Sequence, residues 1–157
     1  MKKLILLAGL YCLQPNLHAA SFGIPVKNNI SPKSAIERAK AHFKVHYEEA
    51  QHVAWFNLGE NNMFCVFHQG DTANRVFYDK RGYWKYTLLS YPGYYLPIRV
   101  KEFVSDYYKC YQISYVNEIR SSYNEPVYVI NIENDDNIKV IKVAGDEIEV
   151  QQVLEKK

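Results

Sequence analysis

Cysteine is scarce in this chain of 157 residues, with three in all, and glycine and proline are present only in ordinary amounts, seven and six. There is no zinc-type cysteine pair, no phosphate-cradling glycine loop and no serine elbow, which removes the commonest sequence grounds for assigning a reaction. The paired acids Glu48-Glu49 project from different faces of a helix, so a two-carboxylate hydrolase is unsupported. The most apolar run, Leu4 to Leu10, is too short to span a membrane. Excess charge is also small, at a formal +2. Without Lys2 and Lys3 the chain carries 17 basic against 17 acidic residues. A neutral chain argues against nucleic acid as the main partner.

Aromatic residues are plentiful, led by fourteen tyrosines. Such a composition suits an ordered, strand-rich protein and opposes disorder. The length is one domain's worth, enough to bury a real core.

Residues 1–20 read as a secretory signal peptide. Lys2-Lys3 is the positive start, Leu4 to Leu10 the apolar core, and Ala19-Ala20-Ser21 the small residues of a cleavage site. Cys12 is not a lipidation site, because Tyr11 stands where a small residue is needed. The expected address is the periplasm or the exterior. Residues 21–30 have no period and form an extended lead-in to a domain over 31–157.

Two starts are open for the first helix: Ser31-Pro32, or Ser34 with Glu37 at capping-box spacing. Ile36, Ala39, Phe43 and Tyr47 make its apolar stripe. Four alternating runs follow, Val53–Phe56, Met63–His68, Arg75–Asp79 and Tyr83–Leu89, joined by connections short enough to require antiparallel pairing. Ser90 to Pro97 carries a Pro-Gly turn signal and three tyrosines, and it joins two similar units. A second helix, with Ile98, Phe103, Val104 and Tyr107 as its stripe, opens after Leu96-Pro97. Tyr111–Ile119, Val127–Ile132, Ile138–Val143 and Ile148–Leu154 complete the second set of strands. Tyr47, Ala50, Val53 and Trp55 match Tyr107, Cys110, Ile113 and Tyr115 at a shift of sixty. Phe64, Val66 and Gly82 match Val127, Val129 and Gly145 at sixty-three. The repeats therefore run from about 31 to 90 and about 96 to 155.

These features resemble a known family. Tyr47-x5-Val53-x-Trp55, then Val76-Phe77-Tyr78-Asp79-x2-Gly82, then Leu96-Pro97 opening a helix towards Tyr107, is similar to the PepSY-like, beta-lactamase-inhibitor-like secreted proteins of Bacteroidetes. The resemblance implies an α+β fold of two tandem helix-plus-four-strand units, an antiparallel sheet with both helices on one face. It transfers no catalytic residue and no cofactor. The second copy departs from the pattern, since Ala144-Gly145-Asp146 lacks the counterpart of Asp79.

The functional expectation is an exported, non-catalytic binding module with a protein partner, of which an inhibitor of an exported enzyme is one form. A sheet with helices on one side leaves its other face free. Tyr and Trp anchor interfaces, so Trp84, Tyr86, Tyr91, Tyr94 and Tyr95 are the candidate contacts; Trp84 and Tyr86 serve equally well as core or cross-strand pairs. The competing expectation is a small-ligand or metal-responsive protein using His42 and His46, which stand four apart on one helix. With Glu49 one further turn along, that spacing can place two imidazoles and a carboxylate on one face, as zinc requires, but no fourth ligand is visible nearby, although His52 is close in sequence. Cys65 and Cys110 could oxidise to a bridge between the copies in an exported protein, or remain two small buried hydrophobes. Asp79 to Gly82 and Asn134 to Asn137 read as hairpin turns.

Overall fold

The computed structural model describes residues 34–59 and 62–156. The expectations of a signal peptide over 1–20, a lead-in over 21–30 and a helix start at Ser31-Pro32 lie outside these residues.

Helix α1 spans Ala35–His46. Ser34 caps it reciprocally: Glu37 N–H donates to Ser34 Oγ at 3.3 Å, and Ser34 N–H donates to Glu37 Oε2 at 2.8 Å. Of the two starts left open by the sequence, the capping box is therefore present. Four strands follow, β1 (Gln51–Asn57), β2 (Met63–Gln69), β3 (Thr72–Tyr78) and β4 (Trp84–Pro92). A single 3-10 turn, Gly93–Tyr95, leads to helix α2 (Ile98–Tyr107) and to β5 (Gln112–Ser121), β6 (Val127–Glu133), β7 (Asn137–Ala144) and β8 (Glu147–Glu155). All eight strands form one antiparallel sheet in sequence order. The fold is thus α+β, two helices each followed by four strands.

Alternation along each strand sends one set of side chains towards the helices. Ala39 and Phe43 of α1 pack on Met63, Cys65, Phe67, Val76 and Tyr78. Val104 of α2 packs on Val116, Ile130, Ile132 and Ile141. Phe43 meets Trp55 and Phe67 edge-on, with ring centroids 5.5 and 5.0 Å apart, the arrangement that ring quadrupoles favour. The stripe expected for α2 is corrected here: Ile98 and Tyr107 are exposed, and Val100, Phe103 and Val104 form the packed side. On α1, Ile36 at the first turn is likewise exposed.

The two halves correspond at a shift of sixty-one around the helix ends, not sixty. Tyr47 N–H bonds to Phe43 O as Tyr108 N–H bonds to Val104 O, and Ala50 N–H bonds to Tyr47 O as Tyr111 N–H bonds to Tyr108 O. The single residue matters, because a slip of one reverses every side chain of a strand. Trp55 packs against the α1 core, whereas Tyr115, its expected match, is exposed. The inward counterpart is Val116.

A polar seam separates the two apolar clusters. Thr87 Oγ1 lies 2.9 Å from Tyr47 Oη and accepts from Trp84 Nε1 at 3.0 Å. Beside it the buried Glu118 accepts from Tyr91 Oη at 2.6 Å and pairs with Arg120. Burial and the adjacent Glu118 carboxylate push the Tyr91 hydroxyl pKa far above its usual value, so it stays a donor.

The hairpin over Asp79 to Tyr83 is held as a turn. Asp79 Oδ1 accepts from the backbone N–H groups of Arg81 and Tyr83, each at 2.9 Å. Asn134 does the same for Asp136 and Asn137, at 3.1 and 2.8 Å. Both are Asx-type turns, in which a short side chain stands in for backbone.

Candidate functional site

The face of the sheet turned away from the helices carries an aromatic ladder. Phe56 of β1 pairs with Phe64 of β2, Phe64 with Phe77 of β3, and Phe77 with Tyr86 of β4. Their ring centroids are 5.0, 5.5 and 4.4 Å apart, with interplanar angles of 19°, 18° and 22°. Directly opposed residues on one sheet face stand close enough for such rings to stack. The next row continues the apolar surface with Val66, Leu88 and Ile119, and sets the exposed Arg75 between Val66 and Leu88. Among the described residues Arg75 has no ion pair. Only Tyr86 of the ladder was among the expected contacts. Phe56, Phe64 and Phe77 were legible as strand residues, but aligning them needs the register of three separate hairpins.

The expected contacts separate into three environments. Tyr86 lies on the open face. Trp84 does not, because a bulge makes Tyr78 pair with Trp84 while Phe77 pairs with Tyr86, leaving Lys85 as the extra residue. Trp84 thus turns to the helix side and stacks on His42 at 6.1 Å and 12°.

Tyr91, expected in a surface loop, is only 4% exposed. Strand β4 runs on to Pro92, and Tyr91 pairs with Val116 in the core. Tyr94 and Tyr95 are 63% and 52% exposed. Both hydroxyls donate to Asp71 Oδ2, at 3.0 and 3.2 Å, which ties the joint to the β2–β3 turn. Hydrogen bonding to Asp71 raises the Tyr94 hydroxyl to about 12.

His42 and His46 stand with ring centroids 4.3 Å apart. His42 Nδ1 is 3.2 Å from Tyr78 Oη. No group of three or more His, Cys, Asp or Glu able to hold a metal ion occurs among the described residues. Burial, and then the neighbouring His46, lower the pKa of His42 below 6.5. The unfolded chain therefore binds the proton first as pH falls. Stability supplied by this site is complete above pH 6.5 and declines below it. Melting temperatures of the wild type should fall between pH 7.5 and 5 more steeply than those of His42→Gln; parallel profiles would refute the assignment.

Cys65 and Cys110 are both free, so of the two states the sequence left open the unbridged one is present. Cys65 is buried under α1, whereas Cys110 is exposed just beyond the end of α2. Burial pushes the Cys65 thiol to about 12, so it is not a nucleophile at neutral pH.

No protein-family model matches the chain, and no curated protein matches it. Solved structures do. A BLIP-like protein from Bacteroides fragilis NCTC 9343 superposes with a TM-score of 0.57 at 13% identity, over 75% of this chain and 84% of that one. The fold is BLIP-like. A DUF2874 family protein from Bacteroides ovatus ATCC 8483 superposes on this chain with a TM-score of 0.56 at 18% identity, over 75% of this chain and 85% of that one. A candidate periplasmic protein from Bacteroides eggerthii DSM 20697 superposes with a TM-score of 0.56 at 14% identity, over 76% of this chain and 87% of that one.

Proposed function

We propose that this BLIP-like protein is an exported, non-catalytic binding module that holds a protein partner against the open face of its sheet. The observation that carries the reading is the ladder Phe56, Phe64, Phe77 and Tyr86, stacked across four strands with neither described helix over it. Rigid rings fixed by their neighbours lose little entropy on binding. Arg75 beside them supplies the other residue type that dominates binding hot spots. Helix α1 and helix α2 cover the opposite face, and the buried Cys65 thiol is inert.

The reading includes an organisation of signal peptide (1–20), lead-in (21–30) and a domain over 31–157 built from repeats near 31–90 and 96–155. It also includes a periplasmic or secreted address. Inhibition of an exported enzyme is the form of binding that the likeness to BLIP-like proteins favours. No described helix is long and apolar enough to cross a membrane.

A photo-crosslinking residue placed at Tyr86 should capture one defined protein in the native envelope, and the same residue at Lys40 on α1 should not. With that partner purified, Phe77→Ala should weaken binding by about 2 kcal/mol, roughly thirtyfold, without loss of fold. Capture from Lys40 alone, or an unchanged affinity in Phe77→Ala, would sink the proposal.

A further inference from the structure

On the other side of the sheet lies a second surface. A groove of about 620 Å³ runs between α2 and the ends of β6 and β7. Volumes of this order take a small ligand or a pair of peptide side chains. Its floor is apolar, made by Phe103 of α2, Tyr128 of β6 and Val143 of β7. Its walls are not. Glu102 and Asp106 stand one turn apart on α2, and Glu125 and Asp146 come from the β5–β6 and β7–β8 connections. Carboxylates therefore rise from both walls, against a single guanidinium, Arg99.

Among the described residues none of these four carboxylates takes part in an ion pair. Elsewhere in the same half three acids are matched, Glu118 by Arg120, Glu149 by Lys142 and Glu133 by Lys156, while Asp135, Asp136, Glu147 and Glu155 are not, so the groove is distinguished by four carboxylates gathered around one apolar floor. Four unmatched negative charges over a low-dielectric floor concentrate a field that selects cations. Exposed pairs add little energy one at a time. Affinity must come from the floor, and the charges supply the choice of ligand.

We infer that the α2 groove binds a basic peptide segment, an arginine or lysine adjoining an aromatic residue, with the ring on Phe103 and Tyr128 and the cation between the two acidic walls. This site is independent of the open face and does not rest on the function proposed for it. The probe is acetyl-Phe-Arg-amide, titrated into the whole mature protein by calorimetry and followed by amide shifts. Shifts are expected over residues 99–106, 125–128 and 143–146. Acetyl-Gly-Arg-amide should bind at least fivefold more weakly, and acetyl-Phe-Glu-amide not detectably. The double variant Glu102→Gln with Asp106→Asn changes only exposed side chains. It should keep the wild-type melting temperature and weaken acetyl-Phe-Arg-amide about five- to tenfold. The inference is overturned if the acidic probe binds as well, or if the double variant binds like wild type. Spermidine matching the peptide would also overturn it, since that response needs no apolar floor.

Discussion

Tyr91→Ala should destabilise the protein by about 3–5 kcal/mol, the range for removing a large buried ring. The ring fills the α2 cluster between Leu96 and Val116, and its hydroxyl serves a carboxylate that is itself buried. Tyr91→Phe separates the two contributions. It keeps the packing and loses one hydrogen bond to a charged acceptor, which should cost about 1.5–3 kcal/mol. Tyr94→Ala, three residues on, removes an exposed ring and should cost less than about 0.5 kcal/mol. Denaturant titration of the three variants checks the order. Equal midpoints for Tyr91→Ala and Tyr94→Ala would show that the β4 extension to Pro92 is wrong.

Gly82→Ala should be as damaging, and the matching change in the other half should not. Both Gly82 and Gly145 close hairpins with positive φ, +80° and +55°. A side chain in that region costs roughly 1–2 kcal/mol wherever it stands. At Gly145 nothing further opposes it, the nearest atom being Glu125 Oε2 at 4.0 Å. At Gly82 the new Cβ would fall on the Ala35 carbonyl, inside van der Waals contact. The obstacle is backbone at the first turn of α1, held by the Ser34 capping box and by Arg38 bonded to the Arg81 carbonyl. Relief requires moving the helix off its sheet. We expect at least about 3 kcal/mol for Gly82→Ala, on the scale of severe overpacking, and about 1–2 kcal/mol for Gly145→Ala. Chemical denaturation of the two single variants decides it. A similar loss in both would mean that α1 does not rest on this hairpin.

The BLIP-like fold and the two surfaces differ in how far they can be read from the chain. Ser34 with Glu37 declares a helix start because the capping box is local, confined to four residues. Short apolar runs bounded by turn residues, Met63 to His68 and Val127 to Ile132, declare strands for the same reason, and connections of five residues or fewer within each unit leave no pairing but antiparallel. What alternation cannot reveal is parity across a bulge. Trp84 and Tyr86 share parity in the sequence, yet the extra residue Lys85 turns one to the helices and leaves the other on the open face. The aromatic ladder depends on that same choice.

By itself, then, the sequence determined the order of elements, the antiparallel sheet, the joint after β4 and the wealth of aromatic side chains, all of which follow from short-range periodicity and turn chemistry. Only the tertiary structure decided which aromatics are available. Tyr91 is buried because Val116, twenty-five residues away, extends β4 past the proline-glycine signal. Cys65 and Cys110 stay apart because one lies beneath α1 and the other beyond α2. The acidic groove exists because a helix, two connections and two strands meet there. Each of these is a long-range contact, and no local pattern of residues encodes where a distant strand will lie.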